Sequence, residues 1–317
     1  MEIKTQPNNV PMISIVIPAH NEESNIVVMR QRLAAVLDTY GDYEILFVDD
    51  GSSDTTLQKI EKLAQTDPKV KYISFSRNFG HQKALRAGLD HAVGQCAITL
   101  DADLQHPPEL IPKMIELWKQ GYEAVSAFRE NSSDLSLFKR KTSEYFYKLL
   151  NYLSSVEVRP GAADFRLIDR AVLDVFKQIK EEHLFLRGMI SWMGFRQCFI
   201  PYQQEKRLCG DSKYSLKKMV LLALDGITSF SVRPLHLTTL FGGIVSLSSF
   251  LYGLFAISAA LFSNKVISGW TSMILSVLFL GGIQLLMLGI VGEYLGKLFI
   301  ESKHRPAYII KKSNLLK

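Results

Sequence analysis

Residues 96–108 read CAITLDADLQHPP, a short apolar run that stops at two aspartates one alanine apart and restarts with a pair of prolines. An apolar run of this length bounded by turn residues is a buried strand, and proline is tolerated at a helix start because the N–H it lacks has no partner there. Asp101 and Asp103 therefore stand at the carboxyl end of a strand. Working outward, the same unit recurs. ISIVIP (13–18), YEILFVD (43–49), VKYISFS (70–76) and EAVSAF (123–128) are further strands, and amphipathic stretches near 23–39, 54–65, 81–92 and 108–120 are the helices between them. Strands alternating with helices make an α/β fold with a mostly parallel sheet covered by helices. Asp54 and Pro107 mark helix starts.

In such sheets the ligand crevice lies beyond the carboxyl ends of the strands. Pro18, Ala19, His20, Asn21 and Glu22 follow the first strand, and Asp49, Asp50, Gly51 and Ser52 the second. Ser76, Arg77, Asn78, Phe79, Gly80 and His81 follow the third, Asp101, Ala102, Asp103, Leu104 and Gln105 the fourth, and Arg129 the fifth. These ends converge on a polar pocket. The two carboxylates of Asp101 and Asp103 can approach one hard cation, and Mg²⁺ or Mn²⁺ takes such oxygen ligands while leaving room for substrate phosphates. The alternative is a solvated acidic turn. Asp49 and Asp50 either cap a helix or accept the imide hydrogen of uracil, with Pro18 to Glu22 as the opposite wall. Arg77 offers a planar fork of donors to phosphate or to a carboxylate.

The remainder of the 317 residues reads differently. Residues 240–262 carry no ionised side chain, nor do residues 266–292, and each stretch is long enough to cross a hydrocarbon core of about 30 Å as a helix. Two membrane spans follow, at about 236–262 and 268–292. Of the formal net charge of +6, residues 1–202 carry 24 Lys and Arg against 26 Asp and Glu, whereas residues 203–234 carry 6 against 3 and residues 293–317 carry 6 against 2. The basic excess flanks the spans, which places both flanks in the cytoplasm and the loop at Lys265 outside. It speaks for anionic headgroups and against nucleic acid, since no basic stripe with interleaved aromatics precedes residue 200. The polar amino terminus, MEIKTQPNNVPM, lacks an apolar signal region, so the large first domain is expected to stay inside. Three scattered cysteines suit a reducing compartment.

Between these regions, FKRKTSEYFYKLLNYL (138–153) reads as an amphipathic helix, GAADFRLIDR (161–170) as a buried strand with a turn, and FRQCFIPYQQ (195–204) as a strand. YSLKKMVLLALDGITSF (214–230) is apolar on one face and reads either as a helix lying in the membrane interface or as an ordinary core helix. The expected organisation is a cytoplasmic catalytic domain at 1–210, an interface helix region at 211–234, two spans within 235–292 and a basic cytoplasmic tail at 293–317.

The ordered motifs Pro18-Ala19-His20-Asn21-Glu22-Glu23, Asp49-Asp50-Gly51-Ser52, Ser76-Arg77-Asn78-Phe79-Gly80 and Asp101-Ala102-Asp103-Leu104-Gln105-His106-Pro107-Pro108 resemble those of family-2 glycosyltransferases with the GT-A fold. More narrowly the chain is similar to the polyisoprenyl-phosphate glycosyltransferases, the bactoprenol glucosyltransferases and dolichol-phosphate mannose synthases. Asp164-Phe165-Arg166-Leu167, Gly210-Asp211-Ser212-Lys213-Tyr214 and Gly292-Glu293-Tyr294-Leu295-Gly296 carry the likeness to the bacterial branch. His20 departs from the aromatic residue usual in the family, and His81 stands where relatives often have lysine. Gln204-Glu205-Lys206-Arg207 is followed by Leu208 instead of the tryptophan of processive synthases.

The resemblance implies inverting transfer of a hexose, with glucose favoured, from a UDP-sugar to undecaprenyl phosphate at the cytoplasmic membrane face. Asp101 and Asp103 would hold Mg²⁺ or Mn²⁺. Pro18, Ala19, Asn21, Glu22, Asp49, Asp50, Ser76, Arg77, Gly80, Ala102 and Gln105 would bind the donor. Arg129 would grip the acceptor phosphate, with Arg140, Arg166, Arg207, Ser212 and Lys213 as further anion contacts. Asp164 would orient the sugar hydroxyls or the acceptor, or serve as a buried partner of Arg166. The same reaction with an N-acetylhexosamine or mannose donor, a processive or protein-directed transferase, and a non-catalytic nucleotide-sugar binder are the alternatives. Small residues in the spans, Gly242-Gly243, Gly281-Gly282 and Gly289 with Gly292, leave room for a homo-oligomer.

Overall fold

The computed structural model describes residues 13–129, 161–181, 186–203, 228, 231–262 and 269–315. Its strands are β1 (Ile13–Ala19), β2 (Tyr43–Asp49), β3 (Val70–Phe75), β4 (Cys96–Thr99), β5 (Ala124–Arg129), β6 (Ala162–Asp169), β7 (Gln197–Tyr202) and β8 (Ile310–Ser313). The helices are α1 (Ile26–Leu37), α2 (Thr56–Thr66), α3 (His81–His91), α4 (Ile111–Lys119), α5 (Arg170–Gln178), α6 (Leu186–Trp192), α7 (Arg233–Phe262) and α8 (Trp270–Glu301). All eight strands join one sheet in the order β7-β5-β6-β4-β1-β2-β3-β8. β6 and β8 run against the other six. The expected mostly parallel α/β sheet is therefore present.

β1 and β2 are buried along their whole length, as continuous apolar strands are when helices cover both faces of a sheet. On one face Ile13, Ile15 and Ile17 pack with Ile26, Met29, Leu33 and Leu37 of α1. On the other, Leu46, Val48, Ile73 and Phe75 meet Ala84 and Ala87 of α3. The same helix crosses β1 so closely that a Cβ on Gly88 would lie 2.2 Å from Val16 Cγ1, a contact only glycine allows.

The strand read at 161–170 is β6, inserted between β4 and β5 and antiparallel to both. Its amino end thus lies at the sheet edge where the parallel strands have their carboxyl ends. The expected basic tail also takes a different form. Residues 310–313 are a strand on the edge of β3, and Asn314 clamps that strand by accepting from the Tyr72 N–H at 2.6 Å and donating to the Val70 carbonyl at 3.2 Å. Tyr308 stacks on Phe75 at 5.2 Å between centroids and donates its hydroxyl to Asp90 at 3.0 Å. Tyr308 packs against the sheet, whereas β8 itself is exposed along its length, with Lys312 paired to Glu61.

Residues 305–317 accordingly belong to the same compact unit as the sheet, and residues 221–304 form a second unit. Within the second unit, Arg233–Phe255 and Ser276–Glu301 are long and apolar enough to cross a membrane, and none of their residues is buried in the chain. α8 runs past the expected end at 292 to Glu301. Tyr294 donates its hydroxyl to the Ser231 carbonyl at 2.6 Å, and a Cβ on Gly242 would lie 3.9 Å from Met287 Cε, so the two helices touch. The other glycines named in the spans face open space. The helices read at 138–153 and 214–230, the loop at Lys265, and residues 204–214 lie outside the described residues.

Candidate active site

The loop after β4 closes on itself. Asp103 Oδ1 accepts from the Gln105 N–H at 3.1 Å, and the Asp101 N–H donates to His106 Nδ1 at 3.1 Å. Leu104, buried at the centre of the turn, adopts φ 62°, a left-handed conformation that costs a branched side chain energy and survives only when its surroundings dictate it. His106 supplies that support. Its ring stacks on Phe165 at 5.4 Å and meets Tyr202 edge-on at 5.7 Å. Ala102 is buried.

Because β6 runs backwards, its first residues reach the same edge. The Thr99 hydroxyl donates to the Asp164 carbonyl at 2.6 Å, pinning β6 to the end of β4. The Asp164 carboxylate accepts from Arg187 Nε and Nη2, both at 3.0 Å, from Arg166 Nη2 at 3.1 Å and from Gln82 Nε2 at 3.2 Å. Burial alone would raise its pKa, but the Arg187 charge, a hydrogen bond to His81 and the Arg166 charge outweigh that and hold it well below 3.8. Burial pulls Arg166 down to about 10, still protonated at neutral pH, against the pull of Asp164. Burial also acts against the His81 cation, yet Asp164 and Asp101 raise its pKa to about 9. Tyr202 is pushed up to about 12, by burial first and then by the Asp101 charge, against the pull of the Arg129 and Arg187 charges. The structure therefore brings Asp101, Asp103, Asp164 and Arg166 together at the carboxyl ends of the parallel strands, with Arg129 at the end of β5 on the same edge of the sheet.

The adjoining wall is the β1 and β2 loops laced together. The Asn21 N–H donates to Ser52 Oγ at 3.0 Å, Asn21 Oδ1 accepts from the Ser53 N–H at 2.8 Å, and the Glu22 N–H donates to Thr56 Oγ1 at 2.8 Å. Pro18 and Ala19 are buried in β1, and the Asp50 N–H donates to the Ala19 carbonyl. Asp49 accepts from the Ser74 hydroxyl at 2.8 Å and the Ser52 N–H at 3.2 Å. Asp50 accepts from the Phe79 N–H at 2.6 Å and the Gly80 N–H at 2.9 Å, and burial raises its pKa despite both bonds. These two aspartates clamp the loops after β2 and β3. The Ser76 N–H donates to the Ile309 carbonyl, and exposed Arg77 lies 4.0 Å over the Phe79 ring. His20 Nδ1 is 2.9 Å from the Asp50 carbonyl oxygen.

Arg166, expected at the acceptor phosphate, is buried to 4% exposure and committed to Asp164 and the Ala163 carbonyl. A guanidinium in that place holds Asp164. Arg129 is exposed at the end of β5, its N–H on the Gly161 carbonyl. Arg140, Arg207, Ser212 and Lys213 lie outside the described residues. Five participants escaped the sequence reading: Gln82, His106, Phe165, Arg187 and Tyr202. His106 and Phe165 stood inside recognised motifs without a role of their own, and Gln82, Arg187 and Tyr202 are brought in by long-range folding that spacing along the chain does not reveal.

Oxygen donors dominate the β4 loop, as Mg²⁺ or Mn²⁺ requires. Asp101 Oδ1 is buried and accepts no hydrogen bond. Among the described residues no set of three His, Cys, Asp or Glu side chains surrounds a common point, so a cation on Asp101 and Asp103 would complete its shell from water and ligand oxygens. The residues present fit such an ion.

The family model described as Glycosyl transferase family 2 matches residues 14–176. An uncharacterized glycosyltransferase, YkcC, of Bacillus subtilis (strain 168) is 46% identical over 301 residues, 95% of this chain and 93% of its own. The bactoprenol glucosyl transferase of Shigella phage SfV is 45% identical over 94% of this chain and 98% of its own. Among solved structures, glucosyl-3-phosphoglycerate synthase from Mycobacterium tuberculosis, in complex with Mn²⁺, UDP-glucose and phosphoglyceric acid, aligns with 69% of this chain and 78% of its own at 18% identity and a TM-score of 0.44.

Proposed function

Since the chain belongs to glycosyl transferase family 2 and is a glycosyltransferase, we propose that it moves glucose from UDP-glucose to undecaprenyl phosphate at the cytoplasmic face of a bacterial-type membrane, inverting the anomeric carbon. One observation carries this reading: the Asp101–Asp103 loop adjoins the Asp164 cluster and Arg129 at a single sheet edge, in a chain that also contains two helices of membrane-spanning length.

The acceptor phosphate is already anionic at neutral pH, so little base catalysis is needed; charge must be managed instead. Bound at Asp101 and Asp103, Mg²⁺ or Mn²⁺ would neutralise the leaving diphosphate. Arg129 binds the acceptor phosphate and aims it at the anomeric carbon. Asp164, fixed from four sides, presents a rigid charged wall to the sugar. The clamped loops after β1 and β2 receive the nucleotide, with Arg77 over its phosphates. Basic flanks hold the spans so that the catalytic unit stays where a lipid phosphate emerges.

The test is radiolabelled UDP-glucose with membranes containing the chain, undecaprenyl phosphate and Mn²⁺. Label in organic-extractable lipid is the expected result. Label in polymer, or none, refutes the reading, and proton NMR of the product showing retention refutes the inversion. Label from UDP-N-acetylglucosamine or GDP-mannose in place of UDP-glucose reassigns the donor.

A further inference from the structure

Resting on the reading of Arg77 as a contact to the donor phosphates, we propose that Tyr308 is a positioning residue for the donor site: from the returning carboxyl-terminal segment it fixes the loop at 76–80 that carries Arg77. Ser76, Arg77 and Asn78 are exposed, so this loop takes its shape from its two flanks. On the β2 flank the Asp50 carboxylate accepts from the Phe79 and Gly80 N–H groups. That side is full. A Cβ on Gly51, whose φ is 63°, would lie 2.5 Å from the Arg77 carbonyl carbon and 2.7 Å from the Asn78 nitrogen. On the other flank the Ile309 carbonyl, just ahead of β8, accepts from the Ser76 N–H at 3.0 Å.

Side chains extend this second flank as far as the cation. Tyr308 stacks on buried Phe75, with 5.2 Å between centroids and 16° between planes, and Phe75 meets Phe79 edge-on at 5.6 Å. The Arg77 guanidinium lies 4.0 Å over the Phe79 ring. A continuous row of contacts thus runs from Tyr308 through Phe75 and Phe79 to Arg77. Its outer end is anchored, because Asp90 of α3 accepts from the Tyr308 hydroxyl at 3.0 Å. Asn314 holds the same segment at the opposite end of β3, on Val70 and Tyr72, and takes no part in the row.

Full-length protein in detergent with Mn²⁺ tests this, by calorimetric titration with UDP alongside kcat and KM for UDP-glucose. Tyr308→Leu removes the ring and should raise the UDP Kd and the UDP-glucose KM about fivefold with kcat little changed, the pattern of lost uniform binding. Tyr308→Phe keeps the ring and gives up the Asp90 bond; it and Asn314→Ala should melt lower than the parent yet bind UDP as the parent does. Arg77→Ala should weaken UDP about tenfold, as loss of a charge-assisted contact does. Adding Tyr308→Leu to it should then cost less than about twofold more, since residues acting through one contact are not additive. Parental UDP affinity in Tyr308→Leu or in Arg77→Ala, a phenylalanine or Asn314→Ala variant as weak as leucine, or a full fivefold loss on top of Arg77→Ala overturns the proposal. If Tyr308→Leu does not fold, Tyr308→Met, which keeps more of the volume without a ring, decides in its place. A parent chain that binds UDP yet transfers no label refutes the functional reading instead, and the UDP affinities still judge Tyr308.

Discussion

Asp164 is a buried carboxylate facing the buried Arg166 guanidinium and the partly exposed Arg187, and removing its charge takes from buried Arg166 the carboxylate it is bonded to. Breaking a buried pair from one side costs about 3–5 kcal/mol, so Asp164→Asn should melt well below the parent chain in a thermal-unfolding series at neutral pH. The pH dependence follows from the lowered pKa. A carboxylate held below its unfolded value stabilises the fold fully above 3.8 and loses that contribution as pH falls through the folded value, so the gap between parent and variant should stay constant from neutrality to about pH 5 and close only under stronger acid. A gap that closes near pH 6 contradicts the charge network. Asp103 carries a different burden. Asp103→Ala should leave the melting temperature within a few degrees of the parent yet lower transfer about 100-fold or more, and EDTA should abolish transfer in the parent. Unaltered product formation in Asp103→Ala would remove the central premise of the mechanism.

Glycine and asparagine set two limits on how the elements fit. At Gly88 an added methyl meets Val16 at 2.2 Å, inside a layer where β1 and α3 are both buried. Overpacking of this kind costs about 1–3 kcal/mol, so Gly88→Ala should lower the melting temperature without altering donor KM. Asn314 joins the last strand to β3 by two hydrogen bonds, and Asn314→Ala should cost about 1–3 kcal/mol and render residues 305–317 more open to proteolysis. The first five strands and four helices were legible in the sequence because apolar runs such as ISIVIP and the turn residues after them obey local periodicity. β6 was legible as a strand but not in direction, since pairing with β4 and β5 is a long-range property. That reversal is why Arg187 and Tyr202 could not be placed beside Asp101. β8 was missed because two lysines in four residues outweighed the short apolar run that precedes them.

The chain as a whole leaves the sheet, runs through α7 and α8, and returns to the sheet as β8. A segment whose two ends both belong to one folded unit must cross a membrane an even number of times. This argument is independent of the basic excess on both flanks, and like it puts both flanks on one side of the membrane. Single-cysteine versions of the full chain, with the three native cysteines replaced by serine, should therefore label asymmetrically with a membrane-impermeant maleimide. Ser302→Cys and a cysteine on the exposed face of α2, at Lys62, should react in inside-out vesicles and resist in intact cells; Lys265→Cys, between α7 and α8 in the sequence, should do the reverse. Labelling of Ser302→Cys and Lys265→Cys from the same side would mean that α7 and α8 lie on the bilayer without crossing it. The substrate lipid would then have to be met by a surface-bound enzyme, and the pairing of β8 with β3 would serve the sheet edge alone.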